Sequence, residues 1–155
     1  MKHFSIDNNK KIHMIGIGGV SMSGIADILI NMGFRVSGSD MNKSDITDRL
    51  ESQGIQVIIG HFAKNVHGAD VVVYTAAVKQ DNPEIIEAKN LNIELIERSE
   101  FLGELTKAYS DTIAISGTHG KTTTTSMITS VFLEAQKDPT VQVGADLKVD
   151  RKSVV

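Results

Sequence analysis

Two short glycine-rich stretches hold the residue types from which chemistry could be built. The first reads Gly16-Ile17-Gly18-Gly19-Val20-Ser21. Glycines in such a loop let the backbone approach a diphosphate, and a helix starting just beyond offers N–H groups and a favourable dipole to the anion. A full dinucleotide fingerprint, G-x-G-x-x-G, would put glycine at position 21, where this chain has Ser21. Asp40 follows roughly 20 residues on, where a ribose-binding carboxylate is expected. The loop alone does not separate NAD, FAD and a UDP-sugar, and a tight turn that binds nothing is the plain structural alternative.

The second stretch reads Gly117-Thr118-His119-Gly120-Lys121-Thr122-Thr123. Its pattern is that of a phosphate-binding loop. Backbone N–H groups would wrap the phosphates, Lys121 would meet the β- and γ-oxygens, and the Thr122 hydroxyl would ligate Mg²⁺. The long form, G-x-x-x-x-G-K-[ST], would need glycine at position 115, but Ile115 stands there. The loop is therefore a shortened variant, G-x-x-G-K-T. A chance glycine turn beside a lysine is the competing reading. Against it stands the threonine run 122–125, an odd choice for a helix because β-branched residues lower helix propensity.

The elements that must position these loops follow a βα rhythm. Residues 11–17 predict a strand, and 21–32 a helix whose Ile25, Ile28, Leu29 and Met32 share one apolar face. Gly33 is the expected helix stop. Strands are expected at 35–39 and 56–60, with a helix over 44–52 between them, ended by Gly54. The β-branched run 71–74 has the look of a strand buried on both faces, as in parallel sheets. Pro83 opens a helix reaching about Leu91, a short strand follows at 94–96, and Ser99 is the expected cap of a helix over 99–107. The alternation predicts an α/β fold with a doubly wound parallel sheet, Rossmann-like, over residues 1–109. Residues 110–155 then open a second domain: a strand at 112–116, the second loop, a helix over 121–135 and a strand at 140–143. Residues 146–155 carry no clear pattern.

Composition narrows the function classes. Hydrophobic residues make up 41% and charged residues 23%, an ordinary globular balance that excludes disordered and fibrous classes. Sixteen basic against nineteen acidic residues give a net charge of −3, which leaves no basic excess for non-specific nucleic-acid binding. Cysteine is absent, so disulfides, thiolate metal sites and thiol catalysis are excluded together. With neither a signal-peptide pattern nor an apolar run of membrane-spanning length, a cytoplasmic location is the default expectation, with no membrane partner.

Taken together, the stretches HMIGIGGVSMSGIA (13–26), SGSD (37–40), GHFAKNV (60–66), DNPEI (81–85), Arg98-Ser99-Glu100 and SGTHGKTTTTSM (116–127) resemble the Mur ligases, the ATP-dependent amide-forming enzymes of peptidoglycan synthesis. The resemblance runs over residues 11–147, with both loops in family order. It implies an N-terminal domain holding the UDP part of the substrate, a central ATP-binding domain and a C-terminal domain receiving the amino acid. The branch resembled most joins L-alanine to UDP-N-acetylmuramate; the ligases that recycle murein tripeptide stand second. Carried over residue by residue, Gly16, Gly18, Gly19 and Ser21 would face the diphosphate, and Asp40 and His61 the uridine. Thr75, Asn82 and Arg98 would line the substrate groove. Gly117, Thr118, His119, Gly120, Lys121, Thr122 and Thr123 would bind the ATP phosphates. The implied reaction forms an acyl phosphate on the lactyl carboxylate, which the L-alanine amine then displaces, with Lys121 and Mg²⁺ at Thr122 neutralising charge on the transferring group.

The same resemblance implies that most of the ATPase sheet and the amino-acid domain have no counterpart in these 155 residues. The expectation is a truncated form that retains UDP-sugar binding without ligase turnover. Two other classes compete: a dinucleotide-dependent oxidoreductase, for which the second loop would have no use, and a non-catalytic nucleotide-sugar binding module. Among the remaining residues His13 reads as structural, His3 and His67 as solvent-facing, and Met14, Met22, Met32 and Met127 as core fillers. The charges over 84–89 read as a solvated helix face. No cluster has the spacing of a zinc site. Exposed Ile113, Ile115, Met127, Ile128, Val131 and Phe132 would favour self-association through the second domain.

Overall fold

A computed structural model describes residues 9–143; His3 and the 146–155 tail lie outside them. The chain divides into two compact units, Met1–Ser110 and Asp111–Val155. Unit 1 is built on five parallel strands: β1 (Lys11–Ile15), β2 (Arg35–Asp40), β3 (Gln56–Ile59), β4 (Val71–Tyr74) and β5 (Glu94–Glu97). They lie side by side in the order β3-β2-β1-β4-β5. Four helices join in: α1 (Val20–Asn31), α2 (Asp45–Ser52), α3 (Pro83–Asn90) and α4 (Arg98–Thr106). The expected α/β class and parallel sheet are what the chain forms.

Strand order reverses at β1: the chain steps outward to β2 and β3, then returns to the other side for β4 and β5. Right-handed crossovers then put α1 and α2 on one face and α3 on the other. Strand alternation supplies both faces with apolar side chains. Ile15 and Val72 pack with Val66, Ile85 and Ala88 in one buried cluster. Ile12 and Met14 point the opposite way and are buried, as are Met22, Ile25 and Leu29 of α1 and Leu50 of α2.

Local signals account for the helix ends. Gly33 takes φ +85° just past α1, and Phe34 N–H donates to the Leu29 carbonyl, closing the helix as its glycine predicted. Ser44 and Thr47 form a reciprocal capping box on α2. Pro83 sits in the first turn of α3, behind the Asn82 cap. One expected cap is wrong. Ser99 does not cap α4, which starts at Arg98 behind Glu97; Ser99 lies inside the first turn and donates its hydroxyl to Glu97 Oε1. A 3-10 turn at Ala63–Val66 had no periodic signal in the sequence.

Among its described residues unit 2 holds one helix, α5 (Lys121–Glu134), behind the second loop. The strand expected at 112–116 is not formed, and 140–143 contributes only a bridge residue at Val141. A strand exists only through its ladder, and no strand among the described residues pairs with 112–116. The buried side chains of α5 are Thr129 and Leu133, so Met127 is exposed and fills no core. Ile113, Val131 and Phe132 are exposed as expected, whereas Ile115 and Ile128 are half-buried.

Candidate functional site

Open α/β sheets bind ligands beyond the carboxyl ends of their strands, at the point where strand order reverses. In unit 1 that point lies beyond β1 and β4, and the first glycine loop occupies it. Gly16, at φ +81°, turns the chain out of β1, and the N–H groups of Gly16 and Ile17 both donate to the Ser39 carbonyl, at 2.8 and 3.0 Å. Gly18 N–H donates to Asp40 Oδ2 at 2.9 Å, and Gly19 N–H to the Gly16 carbonyl at 3.1 Å. All four loop amides are thus engaged within the protein. The glycines shape the loop, while the offer to an anion comes from the first turn of α1. That helix begins at Val20 behind Gly19, whose position supplies no side-chain cap, and this leaves its positive end open.

Arg98, at the start of α4, reaches this turn from across the sheet. Its Nη1 donates to Ser21 Oγ at 3.1 Å. The contact holds a guanidinium beside the open helix end, a pairing suited to phosphate oxygens.

The remaining expected residues fall around the same edge. The Asp40 carboxylate accepts from the N–H groups of Gly18 and of Asn42, the latter at 3.2 Å. A side-chain carbon on Gly18 would come within 2.8 Å of Asp40 Oδ2, so a glycine there is what allows Asp40 to pin the loop. Thr75 follows β4 and is half-buried. Asn82 uses its Oδ1 to cap α3, accepting from Glu84 N–H at 2.8 Å. His61 is 15% exposed, and its Nδ1 lies 3.0 Å from Glu84 Oε2 and 3.2 Å from Ser39 Oγ.

Glu84 was misread from sequence. It does not join a solvated face: its side chain is wholly buried. Helical spacing from Pro83 puts Glu84, Ile85 and Ala88 on the inner stripe, leaving Glu87 and Lys89 outside to meet His67 and Gln80. Ser39 Oγ donates to Glu84 Oε2 at 2.7 Å, and Asn65 Nδ2 donates to Oε1. His13 Nε2, also fully buried, stands 3.6 Å from Oε1, beyond hydrogen-bond reach but close enough to act through charge. Burial alone would raise the Glu84 carboxyl; the polar groups turned toward it, His13 first and then Asn65 and Ser39, outweigh burial and hold it below the ordinary carboxylate value. His13, which also shares a 3.0 Å hydrogen bond with Ser37 Oγ, is structural as expected.

Gly38 is a second residue that sequence reasoning passed over. A side-chain carbon there would come within 2.5 Å of Ile17 Cδ1 and 2.7 Å of the Met14 carbonyl oxygen. The loop leaving β1 lies against β2 at this point, which only glycine permits.

A cavity of about 590 Å³ lies elsewhere, lined by Lys11, Arg35, Gln56, Lys64 and His67 among others. Lys11, Arg35 and Gln56 begin their strands, so this hollow is not at the carboxyl edge.

In unit 2 the second loop leads into α5 through Gly120 at φ +78°. Lys121 Nζ donates to the carbonyls of Gly117 and Thr118, folding the side chain over its own loop. Thr118, His119, Thr122 and Thr123 are exposed around it. Among the described residues no group of three or more His, Asp or Glu side chains could hold a metal. A metal here would depend on the Thr122 hydroxyl and on phosphate oxygens.

Comparison with known proteins agrees with this architecture. A family model described as "Mur ligase family, catalytic domain" matches residues 11–110. The UDP-N-acetylmuramate–L-alanine ligase of Clostridium botulinum (strain Okra / Type B1) is 58% identical over 146 residues, 94% of this chain and 32% of that protein. The corresponding ligase of Clostridium perfringens (strain 13 / Type A) is 57% identical, covering 92% of this chain and 31% of its own. The chain thus spans about a third of the length of the curated relatives it matches. Among solved structures, the UDP-N-acetylmuramate-alanine ligase of Thermotoga maritima superposes with a TM-score of 0.84 at 36% identity, covering 90% of this chain and 33% of that one. The UDP-N-acetylmuramate:L-alanyl-gamma-D-glutamyl-meso-diaminopimelate ligase of Neisseria meningitides gives 0.85 at 34%, covering 94% and 46%. The family match takes in every strand of the sheet that carries the glycine cradle, and this chain belongs to the Mur ligase family.

Proposed function

We propose that unit 1 holds UDP-N-acetylmuramate, that the loop of unit 2 binds the phosphates of ATP, and that the whole enzyme joins L-alanine to the muramic acid carboxylate through an acyl phosphate. The observation that carries the nucleotide part is the uncapped start of α1 with Arg98 held beside it through Ser21. The 58% identity to an L-alanine ligase supports that substrate over the murein tripeptide alternative. On this reading the diphosphate lies against the first turn of α1, next to Gly19 and Ser21. His61 and Asp40 stand on the uridine side, and Thr75, Asn82 and Arg98 along the sugar. Mg²⁺ bound with the nucleotide would be held by Thr122 and would supply charge neutralisation at the phosphates; Lys121 would swing from its loop carbonyls to the β- and γ-oxygens. Among the described residues no helix is long and apolar enough to cross a membrane, which supports a cytoplasmic setting.

The 155 residues alone are expected to bind the UDP-sugar without completing the reaction. Calorimetric titration with UDP, UDP-N-acetylmuramate, NAD and ATP tests this: binding of the first two without NAD supports the reading. NAD binding in preference to UDP would favour a dinucleotide-dependent oxidoreductase. Amide product from ATP, L-alanine and UDP-N-acetylmuramate with this chain alone would refute the division of labour.

A further inference from the structure

Glu84 is wholly buried at the carboxyl edge of the sheet, and nothing in the proposed chemistry uses it. Its carboxyl is held below the ordinary range, so at neutral pH both oxygens act only as acceptors. An acceptor 3.0 Å from a ring nitrogen requires that nitrogen to carry the proton, because two lone pairs at that distance repel. Ser39 offers His61 no alternative: its hydroxyl hydrogen is directed to Glu84 at 2.7 Å, while His61 Nδ1 is 3.2 Å away. Neutral His61 is therefore the Nδ1–H tautomer, and its Nε2 carries a lone pair.

That nitrogen makes no hydrogen bond to a described residue, and the ring keeps the 15% exposure that Glu84 lacks. The neighbouring Gly60 N–H donates to the Asp40 carbonyl at 2.8 Å, which ties His61 to the rim of the first loop. We infer that Glu84 is a positioning residue: it locks His61 so that a bare acceptor nitrogen meets the ligand, and the site thereby selects a group that donates a hydrogen there, the imide N3–H of uracil. Cytosine has an unprotonated N3 and would set lone pair against lone pair. The choice of uracil rests on the nucleotide reading above; the tautomer does not. A purely structural Glu84, stapling α3 to β2 and the 3-10 turn, would leave the His61 tautomer indifferent to its charge.

The test combines multiple-bond ¹⁵N–¹H NMR of the histidine rings with calorimetry of UDP and CDP, on the full 155-residue chain and on Glu84→Gln. The expected result is a neutral His61 protonated at Nδ1 in the native chain, with UDP preferred over CDP by about tenfold, the worth of one ligand hydrogen bond. In Glu84→Gln the new carboxamide can donate to Nδ1, so the tautomer shifts to Nε2–H and the UDP preference collapses. Ser39→Ala keeps the carboxylate and is expected to keep the native tautomer, which provides a reading should Glu84→Gln fail to fold. A native His61 protonated at Nε2, an unchanged tautomer in Glu84→Gln, or a lost one in Ser39→Ala overturns the lock. UDP failing to bind a chain with the expected tautomer overturns the uracil assignment together with the nucleotide reading, and leaves the lock standing.

Discussion

Arg98 and Ser21 lie 77 positions apart in the chain, and their hydrogen bond is a direct link between the start of α4 and the glycine cradle. Arg98 is only half-buried, so its removal should leave the fold largely intact while taking a cation from the proposed phosphate site. Arg98→Ala is expected to weaken UDP binding about tenfold in calorimetry, with unfolding stability changed by less than about 1 kcal/mol. Glu84 is the opposite case, a buried charge that matters to both fold and site. Because its folded carboxyl is held below the ordinary value of 4.5, the unfolded chain binds the proton more readily than the folded one. The stability Glu84 confers is therefore full above pH 4.5 and is lost as the pH falls through the lower folded value. Urea unfolding across pH 3 to 7 should show the native chain losing stability on the acid side more steeply than Glu84→Gln (about one protonation's difference in slope). Arg98 could be singled out in the sequence because it belongs to a recognisable stretch. Glu84 could not: a carboxylate in a charged helix looks solvated until the helix is docked and its inner stripe is known.

The helices differ most at their first turns. α2 closes its N-terminus with the Ser44–Thr47 box, and α3 closes its own with Asn82. α1, α4 and α5 have no side-chain cap, and two of these three, α1 and α5, follow the glycine loops. Capping would compete with a phosphate for the same N–H groups, so an open end is the form a binding helix must keep. Ser44→Ala should cost about 1 kcal/mol in denaturant unfolding, the usual worth of an N-cap, and leave ligand affinity alone. Gly38→Ala should cost more, about 1–3 kcal/mol, because the added carbon would meet the Met14 carbonyl at 2.7 Å and a backbone oxygen cannot step aside. The threonine-rich α5 has its own explanation: the hydroxyls of Thr125, Ser126, Thr129 and Ser130 each donate to the carbonyl four residues back. The caps at Ser44 and Asn82 and the glycine stops are local events, and short sequence windows contain them. The strand expected at 112–116 failed because a ladder partner is not a local property.

At the scale of the molecule, unit 1 has a core on both faces of its sheet, whereas unit 2 buries little of α5. Met127 and Val131, four residues apart on α5, are 65% and 67% exposed and lie on one apolar stripe. Such a stripe favours self-association of the isolated chain. Light scattering should find a concentration-dependent dimer that Val131→Lys suppresses without altering UDP binding; a monodisperse monomer at high concentration would remove the idea.

The sequence by itself determined the alternating elements, the glycine turns and the two phosphate-type loops, since periodicity, propensity and backbone freedom act over a few neighbouring residues. Only the tertiary structure decided that the loop amides at 16–19 bond inward, which leaves the open turn of α1 and Arg98 as the groups proposed to meet an anion. It alone brought Ser39, His61, Asn65 and Glu84 together, because parallel strands joined by crossovers bring distant segments to one sheet edge. Burial there outweighs what any single residue type prefers: a glutamate that would be solvated on a free helix becomes the charge around which a histidine is set.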